Sequence, residues 1–250
     1  MLKAGVHFGH QKSRWHPKME QYLFGARNGV HIIDLDKTTE ELVKSLDFLK
    51  SLAAKGKVVL FVGTKRQARD IIQAAATACG MPYLVERWIG GLLTNFDEFK
   101  RRLKKYKSIQ NMFDTGEIEK YTKKEQVSFK KQLEKMDKYL KGLVNLDVIP
   151  DALYIADVRV EKTAVTEARR THIPTVAVCD SNVDPTKINY PIPANDDAVN
   201  SIRAIAVLVA EAINEGKAEA LKAKPEVTEV KNPLEPPKKE RRALVKEEAV

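Results

Sequence analysis

Val58-Val59-Leu60-Phe61-Val62-Gly63-Thr64-Lys65 is the stretch that decides the fold. Five consecutive apolar residues, three of them β-branched, leave no polar face, so the run reads as a strand covered on both sides. Gly63 and Thr64 then turn the chain into a helix, with Thr64 as its N-cap and Gly80 closing it. Upstream, His31 to Leu35 reads as a strand, and Asp36 to Thr39 cap an amphipathic helix that ends near Gly56. Downstream, Tyr83 to Val85 reads as the next strand. After a long interruption the alternation resumes with a strand at Ala152 to Ala156 and a helix through Arg170. A strand at Thr175 to Val178, a short one near Ile188 to Tyr190 and a last helix from Asp196 to Glu215 follow. Strands alternating with helices require right-handed crossovers. The expected fold is therefore α/β: a doubly wound, mostly parallel, flavodoxin-like sheet built from residues 31–94 and 145–216.

The interruption, residues 95–144, has its own periodicity. Leu103, Tyr106, Ile109 and Met112, then Phe129, Leu133, Met136 and Leu140, recur in steps of three and four, which makes two amphipathic helices. Asp114-Thr115-Gly116 separates them, so they are expected to pack antiparallel as an inserted coiled-coil hairpin. Residues 100–141 hold 14 Lys and Arg against 6 Asp and Glu, an excess close to the +9 of the whole chain. The positive charge is concentrated on this arm. A solvated helical face accounts for alternating signs better than for Lys100-Arg101-Arg102 followed by Lys104, Lys105 and Lys107. An insertion of this kind is expected to bind an anionic partner and to contribute little to the folding of the domain around it.

The first thirty residues are basic and aromatic. Lys12, Arg14, Lys18 and Arg27 are interleaved with Phe8, Trp15 and the histidines His7, His10 and His16. Cations beside flat rings suit a polyanion with exposed bases, the cations for phosphates and the rings for stacking. The plainer alternative is a loop pinned to the domain by Phe8 and Trp15. The net charge of +9 and pI near 9.3 point to an acidic partner. Nucleic acid is favoured over a membrane, because no run of about eighteen apolar residues exists and the start lacks a signal-peptide pattern. Cys79 and Cys179 stand alone without CxxC spacing, which argues against a disulfide framework or zinc knuckle and for a reduced, cytosolic setting. Beyond residue 216 the composition turns to Ala, Glu, Lys and Pro, and residues 217–250 are expected to be a disordered tail.

Several blocks carry a family resemblance. They are Val6-His7-Phe8-Gly9-His10, Arg14-Trp15-His16-Pro17-Lys18-Met19, Phe61-Val62-Gly63-Thr64-Lys65 and Glu86-Arg87-Trp88-Ile89-Gly90-Gly91-Leu92-Leu93-Thr94-Asn95-Phe96. Pro150-Asp151-Ala152-Leu153, Thr166-Glu167-Ala168-Arg169 and Ile192-Pro193-Ala194-Asn195-Asp196-Asp197-Ala198 continue the series. In order and spacing, from Leu2 to about residue 215, the chain resembles the bacterial family of small-subunit ribosomal protein two. That family has several residues ahead of the position of Lys3-Ala4-Gly5, so the start here is expected to be short. The resemblance implies a structural protein of the small ribosomal subunit without a catalytic centre, placed between head and body on the solvent side. It implies contacts with small-subunit ribosomal RNA and help in docking the large OB-fold protein that recruits messenger RNA. It implies no homo-oligomer and no cofactor. The expected RNA-binding residues are Lys12, Arg14, Trp15, Lys18, Arg27, Lys100, Arg101, Arg102, Lys104, Lys105 and Lys107.

Two other chemistries compete with this reading. A doubly wound domain can be an enzyme that binds a nucleotide or phosphosugar at the carboxyl ends of its strands. Val62-Gly63-Thr64-Lys65-Arg66 is the best support for that, but neither GxGxxG nor GxxxxGK[ST] is present. Asp180, Asp184, Asp196 and Asp197, with His16, could in principle gather around a metal. Their spacing fits no standard ligand set. N-capping by Asp196 and an Asx turn at Asp184-Pro185 account for them more simply, so no metal is expected.

Overall fold

A computed structural model describes residues 1–223. The chain runs β1 (Phe8–Gln11), β2 (Leu23–Arg27), β3 (Val30–Ile33), α1 (Leu35–Ala54), β4 (Val59–Val62), α2 (Arg69–Ala78) and β5 (Tyr83–Leu84). It continues through α3 (Phe96–Asp114), α4 (Lys123–Leu140), β6 (Ala152–Ile155), α5 (Lys162–Arg170), β7 (Thr175–Cys179), β8 (Tyr190–Pro193) and α6 (Val199–Ala223).

Five strands form one parallel sheet in the order β5-β4-β6-β7-β8, with Val62 opposite Leu84 on one side and Ile155 on the other. Counted along the sheet's own strands this is the order 2-1-3-4-5, consistent with a flavodoxin-like fold. Because side chains alternate across a strand, the apolar run at β4 serves two cores. Val59 and Phe61 face Leu49 of α1, Ile72 of α2 and Ile205 and Val209 of α6. Leu60 and Val62 face the opposite layer, with Ala164 and Ala168 of α5 and Phe96, Phe99 and Leu103 of α3. Gly63 ends the strand without a side chain because a Cβ there would meet Ile72 Cγ1 at 2.6 Å. The mixture of helices on both faces with a parallel sheet is the α/β class the periodicity predicts.

Four expectations are corrected. The strand at His31 is not part of the parallel sheet: β3 is the centre of a separate antiparallel sheet, order β1-β3-β2. The helix after β4 starts at Arg69, and Thr64 does not cap it; the Thr64 N–H donates to Glu161 Oε1 at 2.9 Å. The last strand lies at Tyr190–Pro193, two residues later than its apolar signal suggests, since Ile188 packs below the sheet in the core. The last helix begins at Val199 rather than Asp196, and it runs on to Ala223. Residues 217–223 of the expected tail are therefore helical, and residues 224–250 lie outside the described residues.

The boundary at residue 95 does not separate two cores. Phe96, Phe99, Leu103 and Tyr106 are buried in the same cluster as Leu60 and Leu153, together with Leu140, Leu143 and Leu146. The base of the insertion is thus fused to the domain. Further out, α3 and α4 touch through the Tyr106 hydroxyl, which donates to Asp137 Oδ1 at 2.6 Å.

Candidate nucleic-acid interface

The N-terminal segment is fastened over the carboxyl ends of the parallel strands by backbone hydrogen bonds. His16 N–H donates to Ser181 O at 2.7 Å, and Asn195 N–H to Val6 O at 3.0 Å. Ile33 N–H donates to His7 O at 2.8 Å. Gly9 lets the segment lie this close, because a Cβ would come within 2.9 Å of Ser181 Oγ and 3.2 Å of His31 O. The apolar anchors are Val6 and Met19, both fully buried, one in each core. Phe8 and Trp15 are only partly packed by comparison. Phe8 is half exposed, and Trp15 is 37% exposed with its ring 5.2 Å from that of His31. Phe24 on β2 is 80% exposed.

The cations of this segment have different surroundings. Lys12 and Arg14 lie in an exposed 3-10 turn, Lys12–Arg14, and Arg27 ends β2 at the hairpin; none has an ion pair among the described residues. Lys18 is already engaged: its Nζ lies 3.1 Å from Asp184 Oδ2 and donates to Thr186 Oγ1 at 3.0 Å. Asp184 meanwhile caps the turn Pro185–Lys187 by accepting from Thr186 N–H. Its burial favours the neutral acid, but the bonds from Thr186 and Lys18 prevail and hold its pKa down at about 2.

Along α3 the apolar residues face inward while Arg101, Arg102, Lys104 and Lys105 are exposed. Lys104 and Lys105 have no ion-pair partner among the described residues. Arg101 and Arg102 share Glu98, at 3.5 and 3.7 Å, in pairs that solvent weakens. Lys100 lies over the Phe96 ring at 5.2 Å, and Lys107 pairs with Asp147 at 3.3 Å. The N-terminal cations and the α3 cations are not drawn into one cluster.

The crevice between β4 and β6, where a doubly wound enzyme would hold its ligand, is filled by the protein's own charges. Lys65 turns inward, with Nζ 2.9 Å from Asp157, 2.8 Å from Asp196 and 2.7 Å from Asp197. Burial alone would discharge this ammonium, but the three carboxylates outweigh it and raise its pKa. His10, rather than His16, joins the group: Nδ1 lies 3.1 Å from Asp180 and Nε2 3.4 Å from Asp197. Asp180 favours the imidazolium and burial opposes it, with a net upward shift. Burial, reinforced by Asp157 and Asp180, pushes the Asp196 carboxyl up to about 7. Ligand atoms of His10, Asp180 and Asp196 lie within 4.8 Å of one another, a set able to hold a divalent ion. Asp196 is therefore a buried ion-pair residue and not a helix cap. Asn195 supplies the cap-like bonds, accepting from Asp197 and Ala198 N–H.

Glu167 is a second residue whose role local pattern does not reveal. On α5 and buried, it accepts at Oε1 from Trp88 Nε1 (3.0 Å) and Gly91 N–H (2.9 Å). At Oε2 it accepts from Leu93 N–H (3.1 Å) and from the N–H and hydroxyl of Thr94 (3.4 Å each). Burial raises its pKa, but these donors overcome that and leave it below the usual carboxylate value. The glycine-containing loop 88–94 is thus held by one carboxylate from outside the loop. Both cysteines are free and buried. Among the described residues no helix is long and apolar enough to cross a membrane.

Comparison with known proteins places these features. Residues 1–216 match the family described as Ribosomal protein S2. The small ribosomal subunit protein uS2 of Coprothermobacter proteolyticus is 48% identical over 217 residues, which covers 87% of this chain and 81% of the relative.

Proposed function

The chain belongs to the ribosomal protein S2 family, and from that premise we propose how it holds RNA. Membership makes it a structural constituent of the small ribosomal subunit, acting in translation. Small-subunit ribosomal RNA is the polyanion its charge is built for. In this reading Lys12, Arg14 and Arg27 neutralise phosphates, and Trp15 stacks on an unpaired base or a partner's ring. Lys18, paired with Asp184, holds the segment in position and lends a partial charge. The α3–α4 pair forms an antiparallel coiled-coil arm, with Arg101, Arg102, Lys104 and Lys105 as its principal phosphate contacts and Lys100 and Lys107 as lesser ones. Residues 1–30, the α/β body and the tip of the arm act as three contact regions on one rigid core. One copy of the chain helps to dock the large OB-fold messenger-binding protein in the cytoplasmic ribosome, with no cofactor and no membrane contact.

The observation that carries the reading is the sidedness of α3: Phe96, Phe99, Leu103, Tyr106 and Ile109 are buried and Met112 is half-buried, while Arg101, Arg102, Lys104 and Lys105 opposite face solvent without buried ion-pair partners. The enzyme alternative is not favoured, and Lys65, the cation it would need, is committed to Asp157, Asp196 and Asp197. The test is co-sedimentation of the tagged chain with small subunits, followed by mapping of RNA crosslinks. Crosslinks at residues 12–27 and 100–107 are expected. Failure to co-sediment would refute the assignment, and crosslinks confined to other segments would refute the choice of residues.

A further inference from the structure

A cavity of about 750 Å³ opens between the N-terminal turn and α5, within the range of about 300–1,000 Å³ common for ligand sites. Arg14 and His16 form one rim, Arg159 and Lys162 the other. Its floor is apolar, from Val158, Val165 and Val183. Arg14, Arg159 and Lys162 have no ion-pair partner among the described residues, whereas Lys187, also on the rim, shares Asp184 with Lys18. A second, shallower hollow continues from the first past Thr166 to Arg169 and Arg170. On α5, Lys162, Thr166 and Arg169 follow steps of four and three, so they lie along one face. The result is a basic trough with a deep pocket at one end.

The pocket also contains an unsatisfied polar group. The amide oxygen and nitrogen of Asn182, which lines it, are both shut off from solvent and have no hydrogen-bond partner among the described residues. Leaving such a group unpaired costs free energy, and a turn of its side chain toward the pocket loses no bond. An occupant that offers both a donor and an acceptor at its edge, an apolar face for the valines and a negative charge for the rim matches this set. A nucleotide within a single strand of RNA has all of these, and its neighbouring phosphates continue along the trough. A duplex commits its Watson–Crick edges to base pairs and keeps its bases stacked, so it cannot insert one here.

We propose that the groove between the N-terminal turn and α5 is a binding site for single-stranded RNA. An unpaired base enters against Asn182, the phosphates on its 5′ and 3′ sides meet Arg14, Arg159 and Lys162, and the next phosphates meet Arg169 and Arg170. The inference rests on the RNA-binding reading above and extends it from Arg14, one of the N-terminal cations, onto a face of α5 that the α3–α4 arm does not include.

The full chain is titrated with a fluorescent 12-nucleotide single-stranded RNA across a range of monovalent salt, beside a duplex of equal length and a polyglutamate peptide. Arg159→Glu with Lys162→Glu removes two phosphate contacts. At about 0.7 unit of salt slope per single-strand phosphate, the slope should fall by about 1.4 and affinity at 0.1 M salt by about 25-fold relative to 1 M. Both residues are exposed, so thermal unfolding should be unchanged. Asn182→Leu should lower single-strand affinity about fivefold with the salt slope intact and the melting temperature unchanged or higher. Wild-type binding that survives both variants unaltered overturns this site while leaving the other RNA contacts standing. The same holds if the double variant loses polyglutamate binding and keeps RNA binding, which would make the groove a site for an acidic protein. A wild-type chain that binds no RNA at all overturns the functional reading, and this site with it.

Discussion

Removing the Glu167 carboxylate tests whether a single buried acceptor holds the loop that joins β5 to α3. Five hydrogen bonds converge on its two oxygens, from Trp88, Gly91, Leu93 and Thr94. In Glu167→Ala the Trp88 indole N–H and the Gly91 and Leu93 N–H groups lose their acceptor together. A buried donor left unsatisfied costs roughly 1–3 kcal/mol, and some water entry at Gly91 softens the sum, so about 3–5 kcal/mol is expected. Glu167→Gln keeps one oxygen for Trp88 and Gly91 but turns an NH2 toward the Leu93 and Thr94 donors, for a loss of about 2–3 kcal/mol. The assay is urea unfolding followed by circular dichroism, with Trp88 fluorescence, read in a Trp15→Phe background, reporting on the loop itself. The pH dependence gives a second check. The folded-state pKa of Glu167 lies below the ordinary value near 4.3, so the unfolded chain takes up this proton first as pH falls. The stabilisation is complete above about pH 5 and is lost as pH drops through the folded value. Both variants should flatten the acid limb of the stability profile. Losses under about 0.5 kcal/mol for both, or an acid limb identical to wild type, would refute the reasoning.

Other perturbations separate core from surface. Lys65→Met strands the buried carboxylates of Asp157 and Asp196 and should cost about 3–5 kcal/mol in urea unfolding, whereas an enzyme-type lysine would leave stability intact. Replacing residues 112–131 by a short Gly-Ser link keeps Tyr106, Asp137 and the base of the arm, so cooperative unfolding should persist while small-subunit binding weakens. Excising all of 95–144 removes Phe96, Phe99, Leu103, Tyr106, Leu140 and Leu143 from the core and should abolish the folded state by circular dichroism. Trp15→Ala should leave the melting temperature within a few degrees and reduce assembly affinity by about 1–3 kcal/mol, measured at matched folded concentration; the reverse pattern would make the ring a packing residue.

Local pattern determined the elements whose period is short. The apolar run at 58–62 could only be a strand covered on both faces, and burial of all four residues of β4 follows from that. The three- and four-residue steps of the insertion likewise placed α3 and α4 before any contact was known. Basic composition and interleaved rings pointed to nucleic acid through charge alone, which needs no fold. Tertiary structure decided everything that depends on residues brought together from far along the chain. The strand at His31 has the composition of any β segment, and only its pairing with β1 and β2 puts it in a second sheet. Thr64 looks like a cap until Glu161, almost a hundred residues on, accepts its N–H. His10 meets Asp180 across 170 positions, while His16, the histidine that the sequence suggests for this group, does not. The same holds for the groove, because the cations of α5 acquire a ligand-sized shape only when the N-terminal turn is laid across from them. Periodicity records which way a side chain points from its own element, and the partner it meets is set by packing between elements.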